Sequence, residues 1–359
     1  MTVRPEIHTG PHLPAELVDG WRTLVADDPG GSWFMTPDWV LAWWETLGAG
    51  RRAEIAVWRG PDGRPDAVVP LLRGRQTLHP RLPLTVDCLT LLGSGPGAAD
   101  HCGIPARPER RADVRDWLAE RARRTTLWLP DLDPGQDVLL PSTARPVVRA
   151  ACPRADLTAG PDALGSRQFR ATVRRYGRKL AAAGVTFRWV DAGEADERLL
   201  DTVLRLHRLR RDALGRPTTF DQGRRPLHAR LLERTAGTGH GPAFLLAERD
   251  KATVGALYGF RWRDSFSYYQ IGWEPELAPL RLGTAVIDQA LRACAERGLR
   301  TFDFLRGTEP YKYRFGAVDR EDVSWLVPRG TSGALLALKH RVRDAARSRP
   351  QPASTTPSR

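Results

Sequence analysis

TFDFLRGTEPYKYRFG, the stretch from Thr301 to Gly316, decides how the rest of the chain is read. It opens on an apolar alternation, Phe302 and Phe304 with Leu305, just after a helical segment closed by Gly298, and this pattern predicts a buried strand. Arg306, Glu309, Tyr311, Lys312, Tyr313 and Arg314 follow, with Gly307 and Pro310 preventing the strand from continuing. A strand that leaves the core and delivers donors, acceptors and phenols onto a turn makes a site edge; the plainer reading is a solvated loop.

Immediately upstream, Val286, Ile287, Ala290, Leu291 and Cys294 form an apolar stripe on a helix predicted over Thr284 to Arg297, with Gly298 as its C′ residue. Before it stands Leu280-Arg281-Leu282-Gly283-Thr284-Ala285. Small residues at 283 and 285 let backbone N–H groups approach an anion, such as a pyrophosphate, at the positive end of the helix dipole. Three strands, Ala243 to Glu248, Thr253 to Trp262 and Ser265 to Trp273, follow one another without an intervening helix and read as an antiparallel meander. Ahead of them lie helices at Glu197 to Leu214 and Pro226 to Thr235, a strand at Thr186 to Val190, and a helix at Ser166 to Ala183. On that last helix Phe169, Val173, Tyr176 and Leu180 share one face, and Arg170, Arg174, Arg175, Arg178 and Lys179 crowd the other, where phosphates or plain solvent would cover them.

The first half predicts a helix at Pro14 to Ala26 and a second one begun by Thr36 and Pro37, with Trp39, Val40, Trp43, Trp44 and Leu47 as a core stripe. Ala53 to Trp58 and Ala67 to Arg73 form a hairpin around an Asp-Gly turn. The glycines of Gly93 to Gly97 lack both the Lys-Ser/Thr ending of a P-loop and dinucleotide spacing, and read as a loop. A helix at Arg110 to Arg124 and a strand at Thr126 to Leu129 complete a first unit ending near Leu157. Beyond the second unit, Val323 to Val327 is one more strand. Residues from 333 to 347 form a basic helix with Leu335, Leu338, Val342 and Ala345 as its apolar face, docked on its own domain or on a membrane surface, and the final PQPASTTPSR is expected to be disordered.

The chain, at 359 residues, is long enough for two domains, and its 41% apolar content is that of a folded protein. No apolar run spans a membrane and the N-terminus lacks a secretory h-region, so a soluble cytoplasmic protein is expected. Cys88, Cys102, Cys152 and Cys294 show no ligand spacing, so neither metal nor disulfide is expected. A net charge of +13 suits RNA, anionic lipid or a phosphorylated ligand. Its spread along an Arg-rich chain speaks instead for base composition, and nucleic acid is not expected as a partner.

The order of elements in the second half resembles the GNAT acyl-CoA transferases, whose phosphate loop reads Gln/Arg-x-x-Gly-x-Gly/Ala. Gly283-Thr284-Ala285 match the end of that motif and Leu280 departs from its start. FDFLRGTEPYKYRFG is similar to the BioF2-like or CelD-like branch, related to FemAB-type aminoacyl transferases. The resemblance implies an α/β (α+β) fold of two GNAT-like units, each a mixed, mostly antiparallel sheet flanked by helices. These would be a degenerate unit at 1–157 and an acyl-CoA-binding unit at 158–328, with a basic tail at 329–359. It implies acetyl-CoA or another acyl-CoA as cosubstrate, lying along Ile271, Gly272 and Trp273 and cradled by Arg281, Leu282, Gly283, Thr284 and Ala285. A small amine or sugar-amine acceptor would attack the thioester directly, with Glu309 or Asp303 as base and Tyr311 as acid. Lys312 would stabilise an oxyanion or bind an anionic acceptor. Asp303 on its apolar strand is equally a structural acceptor. Two other functions fit the same residues: a FemAB-like aminoacyl-tRNA-dependent transferase, and a noncatalytic accessory protein in polysaccharide synthesis.

Overall fold

The computed structural model describes residues 3–79, 81–95, 99–218 and 220–347. Strand β1 (Glu6–His8) is followed by helices α1 (Ala15–Asp27) and α2 (Pro37–Glu45), strands β2 (Ala53–Arg59), β3 (Pro65–His79) and β4 (Leu82–Leu91), helix α3 (Arg111–Ala122), and strands β5 (Thr126–Leu132) and β6 (Arg145–Asp156). After α4 (Arg167–Ala182) the same plan recurs. Strand β7 (Thr186–Val190) leads to helices α5 (Glu197–Ala213) and α6 (Arg225–Arg234), then to β8 (Gly241–Arg249), β9 (Ala252–Trp262) and β10 (Ser265–Trp273). Helix α7 (Leu282–Glu296), β11 (Thr301–Asp303), the short α8 (Pro310–Arg314), β12 (Val318–Val327) and α9 (Gly330–Arg347) complete it.

The strands join into one sheet in the order β1-β2-β3-β4-β5-β12-β6-β11-β10-β9-β8-β7. Two neighbouring pairs are parallel, β4 with β5 and β10 with β11. Each is bridged by the crossover helix that parallel pairing requires, α3 in the first case and α7 in the second. The halves are therefore two units of equal strand order whose last strands are exchanged: β12 of the second lies between β5 and β6, and β6 of the first lies between β12 and β11. No repeat is visible in the residues, because pairing order constrains only which positions alternate in and out.

Local chemistry explains the elements. Thr36 accepts the Trp39 amide and Pro37 occupies the first turn of α2, as its sequence predicts. Trp39, Trp43 and Trp44 are buried, in a core that runs from α1 and α2 through β2 and β3 to α5, α6 and Phe260 of the second unit. Removing one such ring costs about 3–5 kcal/mol. A second core lies between β10, β11 and the Val286-Ile287-Ala290-Leu291-Cys294 stripe of α7. All four cysteines are free and buried. Among the described residues no helix is long and apolar enough to cross a membrane.

Four local expectations change. Strands β4 and β6 were not predicted, because Pro146 and Pro153 interrupt β6 and the outer half of the β3–β4 hairpin is exposed. The strand of the Thr301 stretch is only three residues long, and Pro310 starts a helical turn where a loop was expected. The α9 helix does dock on its own domain, but through Leu336 and Ala337; Leu335, Leu338 and Val342, expected on the docked face, are exposed. Within Gly93 to Gly97 only Gly93, Ser94 and Gly95 are described, and the final PQPASTTPSR lies outside the described residues.

Candidate active site

Strands β10 and β11 pair only from Ser265↔Thr301 to Ser267↔Asp303; β10 then runs on to Trp273 while β11 stops. A register shift between Tyr268 and Gln270 bulges β10 at this point of divergence. Tyr268 turns into the core beside Phe302 and Phe304, and Tyr269 packs with Tyr258, Phe260 and Phe220 on the other side.

Two cavities meet at this splay. A cleft of ≈ 1110 Å³ is lined from the first unit by Arg51, Thr90, Asp100 and Asp131, and from the second by Tyr268, Arg306, Glu309 and Tyr311, among others. A pocket of ≈ 300 Å³ lies at the N-terminus of α7, lined by Trp273, Arg281, Gly283, Thr284 and Arg314 with Phe169 and Phe315. Arg210, Tyr268, Ile271 and Tyr311 line both.

The smaller pocket has the chemistry of an anion cradle. The first amides of α7 precede its hydrogen-bond ladder and point out of the helix end. Arg281 holds a left-handed turn at φ 61°, and a Cβ on Gly283 would stand 2.6 Å from the Trp273 ring. Leu280, which departs from the resembled motif, packs into the core, and Arg281, Arg314 and Arg210 supply guanidinium groups around the pocket. Of the expected cofactor-binding residues, Ile271, Trp273, Arg281, Gly283 and Thr284 line this pocket. Gly272, Leu282 and Ala285 do not. Gly272 admits the close approach of α5, where an added Cβ would meet the His207 amide nitrogen at 2.2 Å, and Leu282 and Ala285 are core residues.

The acid–base candidates separate sharply. Tyr311 sits at the junction; burial, with the nearby Glu309 charge, pushes its phenol up to about 12, and a hydrogen bond from Tyr268 opposes that rise only in part. Glu309 is more than half exposed on the cleft and pairs with Lys312 at 2.9 Å. Lys312 itself is 2% exposed, and its Nζ donates to the carbonyls of Leu305, Arg306 and Gly307 at 3.1, 2.9 and 3.0 Å. The amides of the same three residues go to Asp303, Asp100 and Ala151. Leu305, at φ 56°, is thereby held in a conformation that costs roughly 1–2 kcal/mol for a residue with a Cβ.

Asp303 does not line the cleft. It is buried, accepts Arg154 Nε at 2.6 Å and the Leu305 amide at 2.8 Å, and stands 3.0 Å from His101 Nε2, out of line for a well-directed hydrogen bond. Burial alone would raise its pKa, but the His101 and Arg154 charges bring it down to about 2. His101 also meets Asp322 at 2.8 Å through Nδ1. Burial works against its charge, yet the two carboxylates raise its pKa well above the ordinary histidine value. His101, Cys152 and Asp322 bring potential ligand atoms within 4.8 Å of one another. Both imidazole nitrogens already face carboxylates, and burial drives the Cys152 thiol upward, so the group holds together as an ion network.

The structure adds site residues that spacing did not reveal. His207 lies under the splay, its Nδ1 donating to the Ile271 carbonyl at 3.1 Å and its Nε2 meeting Thr218 Oγ1 at 2.8 Å. Burial lowers its pKa to about 4. Arg210 stacks on Trp273 with its guanidinium carbon 4.5 Å from the ring centroid. A polar residue at 207 on the stripe of Leu200, Val203 and Leu204 is the available sequence signal for the first, and the Tyr268-Tyr269 break in strand alternation is the signal for the bulge.

Residues 167–313 match the model of the GNAT acetyltransferase domain family. No curated protein matches the chain by sequence. Among solved structures the chain is similar to FemX, at 13% identity and a TM-score of 0.63, over 90% of this chain and 97% of that one. It is also similar to the C-terminal domain of a putative lysylphosphatidylglycerol synthetase from Agrobacterium fabrum, at 12% identity and a TM-score of 0.58, covering 92% and 96%. A conserved protein of unknown function from Bacteroides thetaiotaomicron follows at 11% and 0.56, covering 89% and 99%. Residues 167–313 thus match a GNAT acetyltransferase domain, and the chain as a whole, with its repeated strand order and splayed parallel pair, shares the fold of FemX.

Proposed function

We propose that the protein is an acyl-CoA-dependent N-acyltransferase that receives its donor in the pocket at α7 and a small amine or sugar-amine acceptor in the cleft between the units. The observation that carries this reading is the sharing of Arg210, Tyr268, Ile271 and Tyr311 by both cavities, which lets two substrates meet at one point. The cradle residues for the donor are Arg281, Gly283 and Thr284 with Arg210 and Arg314, and what the donor supplies is an acyl group on a thioester.

The acceptor amine attacks the thioester carbonyl; a C–N bond forms, the C–S bond breaks, and the amide and a free thiol leave. Glu309, exposed on the cleft, takes the proton released by the amine. Tyr311, still protonated at neutral pH with a pKa near 12, gives its proton to the departing sulfur. Tyr268 holds Tyr311 in line. Lys312 and Asp303 are positioning residues: their bonds are spent on the turn at 305–307 that carries Glu309 and Tyr311 into place.

The two-unit division at 1–157, 158–328 and 329–359 belongs to this reading, and so does a cytoplasmic setting, for which the four free cysteines speak. A second reading, an aminoacyl-tRNA-dependent transferase, is favoured by Arg167, Arg174, Arg175, Arg178 and Lys179, exposed on α4 beside α7. Mass spectrometry of a panel of amines incubated with acetyl-CoA tests the first reading. Acylated product is expected, insensitive to ribonuclease, and calorimetry should show acetyl-CoA binding that Gly283→Trp removes. Absence of acetyl-CoA binding by the unaltered chain would overturn it.

A further inference from the structure

Helix α9 has two apolar faces, and the protein itself uses only one. Leu336 and Ala337 are buried against the sheet, His340 stacks on Trp128 at 4.5 Å with the rings 17° apart, and Lys339 donates to the Thr77 carbonyl. On the far side Leu335, Leu338 and Val342, spaced three and four residues apart, form a single stripe that is 56%, 58% and 60% exposed. The stripe is flanked by Arg343 on one edge and Arg341 on the other, and the only acid of the helix, Asp344, comes one turn after His340, at the spacing of the docked face.

We infer that this outer face of α9 docks on an anionic lipid surface. Such a helix lies in the interface plane with its apolar stripe among the acyl chains and its flanking cations at the headgroups, their methylene stems covering the edges of the stripe. Charge selects this occupant over a second copy of the chain: two α9 faces brought together would set Arg341 and Arg343 against their own kind in a protein of net charge +13. Trp128, on which His340 stacks, also lines the cleft, so α9 packs behind one wall of the cleft.

Co-sedimentation of the full chain with vesicles tests this independently of any turnover. Binding is expected to phosphatidylcholine vesicles containing about 30% phosphatidylglycerol and not to phosphatidylcholine alone, and is expected to weaken about fivefold for each of Arg341→Gln and Arg343→Gln. Leu335→Asp with Leu338→Asp should abolish it while circular dichroism and the thermal melt stay unchanged, because neither side chain packs on the body. Equal binding to neutral vesicles, no binding to anionic ones, or full binding by the double variant would overturn the assignment. So would concentration-dependent dimerisation without lipid that the double variant loses, which would give the face to a second copy.

Discussion

Tyr311 and Lys312 are neighbours in sequence with opposite fates. Tyr311 reaches the junction of the two cavities, and Tyr311→Phe should lower kcat about 10²-fold with little change in KM for the acyl donor, as steady-state kinetics will show. An unchanged kcat would remove it from the acid role. Lys312, with three carbonyls and a carboxylate on one ammonium, behaves as a pin. Replacing it in Lys312→Met leaves buried carbonyls without a donor and is expected to lower unfolding stability by about 3 kcal/mol in urea titration. Both residues were visible in the sequence as polar groups after a core strand, but their division of labour was not. Burial of an ammonium depends on which carbonyls turn toward it, and that follows from the left-handed turn at Leu305 rather than from spacing. His101 and Arg210 were illegible for the same reason: each meets its partner across a long separation, His101 with Asp322 and Arg210 with Trp273.

Most helices and the meander of the second unit were legible because their apolar period is unbroken, whereas β4 and β6 were not, being shaped by pairing with strands whose register no local pattern announces. The elements that meet at the site carry their own tests. In Gly283→Val at the start of α7, the side chain must push the Trp273 ring aside, so KM for the acyl donor is expected to rise at least about tenfold while acceptor KM holds. Equal effects on both KM values would detach α7 from the donor. The loop carrying His101 is tied to β11 and β12 by the two carboxylates, and this tie has a pH signature. Folded, His101 keeps its proton well above 6.5, where the unfolded chain has released it, so stability should fall as pH rises from 6.5 toward the folded value. The Asp303 contribution, with a folded pKa of about 2, is complete above 3.8 and lost as pH falls from there. Urea midpoints measured from pH 6 to 9 should decline in the unaltered chain and flatten in His101→Asn; a parallel decline in both would assign the effect elsewhere.

At the scale of the molecule the exchanged strands decide how the chain can come apart. Residue 157 is the proposed cut between the two units, yet β6 on its near side pairs with β12 from Val318↔Arg154 to Leu326↔Arg145 and with β11 from Thr301↔Asp156 to Asp303↔Arg154, all on its far side. Strand β12 in turn needs β5. A fragment of residues 1–157 therefore carries β6 with no neighbour and leaves β5 with an open edge, and a fragment of 158–359 has β11 and β12 with neither of their inner partners. The unpaired amides and carbonyls of those edges, together with the apolar core shared by α2 and α6, make each fragment unstable alone. Expressed separately, the fragments are expected to lack near-ultraviolet circular dichroism and a cooperative melt; expressed together they should reassociate, and the intact chain should unfold in a single transition. Either fragment melting cooperatively by itself would mean that the exchange is a late docking of two finished domains. A single transition would mean that the active-site splay, which β6 borders through β11, exists only in the assembled pair, so that the donor pocket depends on a strand contributed by the unit that does not contain it.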